Sequence, residues 1–104
     1  MLCLCTIRRI RPETFEQFRQ AWVPEKWHDR MVRAYYLRNQ DDPDEVMTLA
    51  LFEGTPDEID AMRDDPHWMA GEERRLRRIA ALSESVLASG VYDVVDEIVP
   101  VGGA

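Results

Sequence analysis

The sequence predicts an α+β fold built on a four-stranded antiparallel sheet. The stretch from Val46 to Phe52 is apolar except for Thr48, which is typical of a central strand covered on both faces. The turn-forming residues at 40–44 join it to the preceding strand as a hairpin. One helical pattern precedes this hairpin and others follow it. This order of elements is that of the ferredoxin-like split βαβ fold, with the first and third strands in the middle of the sheet.

Length and charge limit the class of protein. We expect the 104 residues to form a single domain, 1–104, with a core over about 2–99 and a short tail at 100–104. The formal net charge of −7 disfavours nucleic acid and anionic membrane as partners, because both require a basic surface. No apolar run approaches the roughly 18 residues of a membrane span, and the N-terminus lacks the basic region of a signal peptide. We therefore expect a cytoplasmic protein.

Hydrophobic spacing predicts four strands and three helices. They are strands Leu2–Ile10, Met31–Asn39, Glu45–Glu53 and Val91–Val99, and helices Pro12–Val23, Pro56–Asp64 and Glu72–Ser89. In the first helix, Phe15, Phe18 and Trp22 lie on one side at helical spacing, so we expect them in the core.

Capping residues mark where the later helices begin. Thr55 is followed by proline and, three residues on, by Glu58, which predicts a capping box. The pair Asp65-Pro66 repeats the signal, with Gly71 expected to interrupt before the long helix and Gly90 expected to cap its end. The long helix has one apolar stripe, formed by Leu76, Ile79, Ala80, Ser83, Val86 and Leu87.

Two clusters of reactive or charged side chains have simple structural interpretations. Cys3 and Cys5 lie two apart on one strand face, too close along the chain for an undistorted disulfide, and we expect two small buried apolar residues. Four arginines of the long helix follow Glu72 and Glu73 at spacings of one to six. We expect helix ion pairs on a solvated face and no basic patch.

The helices of this fold can cover only one face of the sheet. Both alternating sets of the third strand are nonetheless suited to a covered face: Val46, Thr48, Ala50 and Phe52 on one side, Met47, Leu49 and Leu51 on the other. A large apolar face left open on a monomer marks an interface. We therefore expect a homodimer in which two sheets pack face to face.

The chain resembles the antibiotic-biosynthesis-monooxygenase-like family of dimeric α+β barrels. The resemblance covers the element order over about residues 2–99, and Phe52, Glu53, Pro66 and His67 match the family's pattern around the second helix. Many members also have a histidine near the end of that helix, where this chain has Met62. The resemblance implies a dimeric α+β barrel. It also implies a cofactor-independent monooxygenase acting on an aromatic or phenolic compound, as in some members of the family.

Histidines and aromatic residues are the candidates for a site. His28 and His67 are the candidate catalytic residues, since imidazole transfers protons near neutral pH. The candidate pocket-lining residues are Trp22, Trp27, Tyr35, Tyr36 and Trp68, and Arg33 and Arg38 could hold an anion. The two Trp–His pairs, at 27–28 and 67–68, could meet at one pocket mouth and bind a flat aromatic ligand. In the competing interpretation the tryptophans close the core and the histidines face solvent.

Three function classes remain open. The first is the cofactor-independent oxygenase, and another is a non-catalytic small-ligand binder or dimeric module. A haem-binding or haem-degrading protein is disfavoured, because its signature is a histidine inside the long helix and 72–89 contains none. Motifs for nucleotides, zinc proteases and serine hydrolases are missing from the sequence, so we expect neither a cofactor nor a metal.

Overall fold

The structure is a computed structural model that describes residues 1–101. Its strands are β1 (Leu2–Ile10), β2 (Met31–Arg38), β3 (Glu45–Phe52) and β4 (Ser83–Asp93). Its helices are α1 (Phe15–Trp22), α2 (Pro56–Ala61), a 3-10 turn (Met62–Asp64) and α3 (Pro66–Leu82). Of the predicted tail at 100–104, residues 102–104 lie outside the described part.

The four strands form one antiparallel sheet in the order β2-β3-β1-β4. Ala50 of β3 pairs with Leu4 of β1 on one side and with Ala34 of β2 on the other. The predicted hairpin, the antiparallel sheet and the central positions of the first and third strands are therefore confirmed. No helix in the described part of the chain is both long and apolar enough to cross a membrane.

The core lies between one face of this sheet and the helices α1 and α3. Ile10 and Val46 from the strands, each 1% exposed, meet Phe18 (0%) and Trp22 from α1 and Ile79 from α3. Phe15 packs against the edge of this cluster. The predicted apolar side of the first helix is confirmed.

The first helix begins three residues later than predicted, at Phe15 and not at Pro12. Glu13 has a positive φ of 63°, which no right-handed helix can include. The Thr14 hydroxyl donates to the carbonyl of Arg11 at 2.6 Å, which holds a turn ahead of the helix. The proline therefore lies in this turn and does not open the helix.

The prediction for the last third of the chain was wrong in its boundaries. The long helix spans Pro66–Leu82, and Gly71 lies inside it without interrupting it. Residues 83–89 belong to β4, so Gly90 pairs with Cys5 in the sheet and caps no helix. The predicted last strand coincides with β4 only over Val91–Asp93.

The free edge of β1 explains this difference. Residues 83–90 include three serines and a glycine, which are weak helix formers, whereas pairing with β1 satisfies a whole row of backbone groups. The predicted helical stripe is lost as a result. Only Ile79 is buried, while Leu76 in the helix is 49% exposed, and Val86 and Leu87 in β4 are also exposed.

The helix α2 begins with the capping box that the sequence predicts. The Glu58 amide donates to the Thr55 hydroxyl at 3.2 Å, and the Thr55 amide donates to the Glu58 carboxylate at 3.1 Å. The hydrogen bonds that the Glu58 carboxylate accepts from Thr55, followed by the charge of Arg30, lower the pKa of Glu58. Gly54, with a φ of 135°, makes the preceding turn.

Thr55→Ala should lower the free energy of unfolding by about 0.5–2 kcal/mol, because the Glu58 amide loses its acceptor. Chemical denaturation at fixed protein concentration measures the difference. Thr55→Ser keeps an acceptor at the same place and should stay close to the unmodified protein. Equal stability of the alanine variant would mean that the box contributes nothing.

The opposite face of the sheet is uncovered by helices in residues 1–101. It carries the alternate residues of each strand, among them Cys5 and Ile7 of β1, Leu49 of β3 and Tyr35 of β2. Cys3 and Cys5 are free thiols on this face and are only partly buried, which corrects the expectation of core positions. The set that contains Leu49 is therefore the open one, and the set that contains Ala50 faces the helices.

Candidate functional site

The loop between α1 and β2 is held against α3 by charged side chains. Glu25 accepts two hydrogen bonds of 3.1 Å from Arg74, which lower the pKa of this carboxyl group, and Arg78 lies 3.9 Å away. Of the four arginines, only Arg75 and Arg77 pair within the helix, with Glu72 and Glu73. The expectation of helix ion pairs is therefore correct for two of the four, and the other two fasten the loop that carries Trp27 and His28.

Backbone hydrogen bonds fix His28 within this loop. The Arg30 amide donates to its Nδ1 at 3.1 Å, and its carbonyl accepts from the Met31 amide at 2.9 Å. The imidazole stands edge-on to the Trp68 ring, with centroids 5.4 Å apart and planes at 84°. Because Nδ1 accepts a hydrogen bond, neutral His28 carries its proton on Nε2. Nε2 is thus the nitrogen that a ligand can meet, and it acts as a donor.

Both Trp–His pairs line one open chamber of about 260 Å³, which we call the outer chamber. Trp27 and His28 reach it from the loop, and His67 and Trp68 reach it from the first turn of α3. Asp65 caps that turn, accepting from the His67 amide at 3.0 Å, while the His67 side chain is exposed. The structure therefore brings both candidate histidines and two of the tryptophans together.

A smaller pocket of about 110 Å³, which we call the inner cavity, adjoins this chamber between the sheet and the helices and is also open to solvent. Its aromatic wall consists of Trp22, Trp27 and Trp68, and Phe52 of β3 also lines it. Trp27, His28 and Trp68 border both spaces, so they separate the inner cavity from the outer chamber. Its polar groups are Thr6, Arg8, His28, Thr48, Glu72 and Arg75.

A larger cavity, of about 330 Å³, lies elsewhere, beneath α2 and the 3-10 turn. Its lining is mostly apolar, and its ionisable groups are Asp60, Arg63 and Asp93. It contains neither histidine, although Trp68 borders it. We place the candidate site at the histidines, because imidazole is the side chain best suited to proton transfer near neutral pH.

The other predicted residues lie outside these cavities. Tyr36 packs in the core, stacked on Phe15 at 4.6 Å and donating to the Phe15 carbonyl at 2.9 Å; burial raises its pKa to about 12. Tyr35 faces the open side of the sheet and is 44% exposed. Arg38 stacks over the outer side of Phe15, 3.5 Å from the ring centroid, and Arg33 is exposed. None of the four borders the inner cavity or the outer chamber.

The comparisons with known proteins find similarity in structure and not in sequence. No protein-family model matches the chain, and no curated protein matches it significantly. A candidate antibiotic biosynthesis monooxygenase from Chloroflexus aurantiacus superposes with a TM-score of 0.71 at 12% identity, over 93% of this chain and 95% of that one. A variant of SnoaB, a cofactor-independent oxygenase from Streptomyces nogalater, gives a TM-score of 0.68 at 16% identity over the same shares. A further candidate antibiotic biosynthesis monooxygenase, from Deinococcus radiodurans, gives 0.69 at 10% identity over 96% and 98%.

The chain has the fold of the antibiotic biosynthesis monooxygenase-like proteins. The resemblance found in the sequence is thereby confirmed for the fold. At these identities the likeness extends to the fold alone, so the role of each residue in this chain depends on its own geometry.

Sequence reasoning missed three charged residues of the inner cavity in this monooxygenase-like fold. Arg8 comes from β1, and Glu72 and Arg75 come from the second and third turns of α3. Arg75 also donates to the Trp22 carbonyl at 2.9 Å, which ties α3 to the end of α1. The available signal was strand alternation, because Arg8 is two residues from the fully buried Ile10 and so shares its face.

The position of His67 changes one argument about haem. The predicted long helix excluded every histidine, but α3 begins at Pro66 and includes His67 in its first turn. The lack of a helical histidine therefore no longer counts against haem binding. His67 lies at the exposed rim of the outer chamber, while the inner cavity has only His28.

Proposed function

We propose that the protein is a small-molecule enzyme of the cofactor-independent monooxygenase type, acting on an aromatic or phenolic substrate. The observation that carries the proposal is the inner cavity, where three tryptophans and His28 meet between sheet and helices. The likeness of fold to a cofactor-independent oxygenase supports the same reaction type. The substrate ring packs against the tryptophans, and because the inner cavity of about 110 Å³ is smaller than the roughly 150 Å³ cavity that accommodates benzene, the ring reaches the opening shared with the outer chamber. Larger substrates extend into the outer chamber.

Such a reaction needs no external reductant when the substrate is electron-rich. A phenol with a free para C–H takes one oxygen atom from dioxygen to become a quinone, and the other atom leaves as water. The substrate must lose its phenolic proton, and the resulting anion must be stabilised. His28 suits the second role as an Nε2 donor, and His67 at the rim is the candidate for accepting and releasing the proton.

Oxygen uptake with a panel of phenols and hydroquinones tests the proposal. The purified protein, with no added metal, flavin or haem, should accelerate uptake above the protein-free rate. Isotopically labelled dioxygen should leave one labelled atom in the product. His28→Asn should lower kcat by roughly 10²- to 10³-fold, because the anion loses one hydrogen-bond donor. Its side-chain oxygen can still accept from the Arg30 amide, so the loop is preserved while the Nε2 donor is removed.

Gln20→Asn is the matched control, because Gln20 is exposed on α1 and borders no cavity. It should leave the rate unchanged. Binding of phenols without any oxygen uptake would overturn the enzyme and support the non-catalytic ligand binder. A haem spectrum with a Soret band that disappears in His67→Asn would instead support haem binding.

We further infer that two copies of the chain pair through the open face of the sheet. The exposed apolar side chains of that face, with helices only on the other side, support a homodimer. The cytoplasmic location expected from the sequence stays a prediction.

A further inference from the structure

Arg8 is a cation on the helix-covered face of the sheet. It follows Thr6 on that face of β1, precedes the fully buried Ile10, and is half-buried. It lines the inner cavity from the sheet side, while Arg75 lines the same cavity from α3. An arginine in such a position normally pairs with a carboxylate or with several acceptors.

The other partly buried arginines of the chain have carboxylate partners. Arg9 pairs with Asp42 at 2.7 Å, Arg30 with Glu58 at 2.7 Å and Arg75 with Glu72 at 2.9 Å. Within residues 1–101, Arg8 forms no salt bridge and no side-chain hydrogen bond. Its guanidinium carbon lies 5.9 Å from the centroid of the Phe18 ring, a weak cation–π contact.

Glu72, the carboxylate that lines the inner cavity, does not neutralise the charge of Arg8. Both carboxylate oxygens of Glu72 accept from Arg75, at 3.1 and 2.9 Å, and the pair is mostly buried, with exposures of 15% and 18%. Burial, and after it the charge of Arg75, lower the pKa of Arg8. A guanidinium nevertheless stays protonated at neutral pH, so the cavity retains a positive charge without a protein partner.

We propose that Arg8 binds the ionised oxygen group of a flat aromatic ligand, a carboxylate or a phenolate, whose ring packs against Trp22, Trp27 and Trp68. A planar guanidinium matches a carboxylate with two parallel hydrogen bonds and also binds a single oxyanion. The tryptophan wall selects the ring, and Arg8 selects the anion. The inference rests on the proposed function for the location of the ligand site, but it requires no turnover.

Calorimetric titration with 2-naphthoate and its neutral analogue 2-naphthamide tests the proposal. The native protein should bind the carboxylate at least about tenfold more tightly than the amide, and Arg8→Gln should weaken naphthoate binding by roughly 10- to 100-fold. Naphthamide binding should change little, so the preference disappears. A folding defect would weaken the binding of both ligands alike, whereas loss of the anion contact would weaken the binding of naphthoate alone.

Two further variants sharpen the test. Arg8→Lys keeps the charge and should recover part of the preference for the carboxylate. Arg9→Gln removes the neighbouring arginine, which faces the other side of the sheet and pairs with Asp42, and should keep the full preference. A titration of 2-naphthol across its own ionisation distinguishes the two anions, because tighter binding of the ionised form shows that a phenolate binds at Arg8.

The inference is overturned if the native protein binds neither ligand, or binds both equally. It is also overturned if Arg8→Gln keeps the preference for the carboxylate. Preferential binding of naphthoate without oxygen uptake by any phenol would leave Arg8 as the anion site and refute the oxygenase. Oxygen uptake without a preference for naphthoate would refute the anion site at Arg8 and leave the proposed oxygenase standing.

Discussion

Phe18→Ala should destabilise the protein by about 3–5 kcal/mol, the usual cost of removing a fully buried aromatic ring. Phe18 is 0% exposed and packs among Ile10, Val46 and Ile79, and its ring lies 5.9 Å from that of Tyr36. Together with Trp22, it packs α1 against the sheet. A loss of this size is a large part of the roughly 5–15 kcal/mol that stabilises a typical domain.

Denaturant titration followed by circular dichroism measures the difference, with protein concentration held constant because dimerisation would raise the apparent stability. Gln17→Ala is the control, since Gln17 precedes Phe18 on α1 and is exposed. Its stability should stay within about 0.5 kcal/mol of the unmodified protein. A Phe18→Ala variant that is equally stable would show that the core does not depend on this contact.

Local patterns were sufficient to predict the order and kind of the elements in the first two thirds of the fold, although the first helix begins at Phe15 and not at Pro12. The apolar run of β3 and the polar hairpin tip specify a central strand and its neighbour, whatever the rest of the chain does. The caps at Thr55 and Asp65 are equally local, because each is completed by residues within three positions. Such features can be read without knowing the tertiary structure.

The boundary between α3 and β4 could not be read in this way. The segment after Leu82 has apolar residues at helical spacing, and only the free edge of β1, about 80 residues earlier, makes a strand the better state. Tertiary pairing therefore overrode the local pattern. The same holds for Glu25, whose arginine partners lie 49 residues or more along the chain.

The candidate site was predictable in its aromatic part and not in its charged part. One pair of adjacent Trp and His residues follows α1 and the other lies in the first turn of α3. The topology brings the end of α1 and the start of α3 to the same side of the sheet. The position of Arg8 in the cavity could not be predicted, because two consecutive arginines, Arg8 and Arg9, are typical of the polar end of a strand. Alternation sends one to the cavity and the other to the hairpin tip, and only the buried Ile10 tells which is which.

Leu49→Glu should convert the protein from a dimer to a monomer at micromolar concentration. Leu49 lies at the centre of the open sheet face, paired with Cys5 on one side and Tyr35 on the other. Tyr35 and Tyr92 on this face are 44% and 59% exposed, which is unusual for large aromatic side chains without a partner. Face-to-face packing would bury two copies of the new carboxylate without a counter-charge, at a cost of several kcal/mol.

Light scattering coupled to size-exclusion chromatography measures the mass directly. Leu76→Glu is the matched control, because Leu76 is 49% exposed on α3, on the helix side of the sheet, and its replacement should leave the dimer intact. Ala50→Glu alters the opposite face of β3 and points into the inner cavity, so it should impair ligand binding or folding and not association as such. A monomeric mass for the unmodified protein would refute the paired sheets, and a dimeric Leu49→Glu variant would move the interface away from this face.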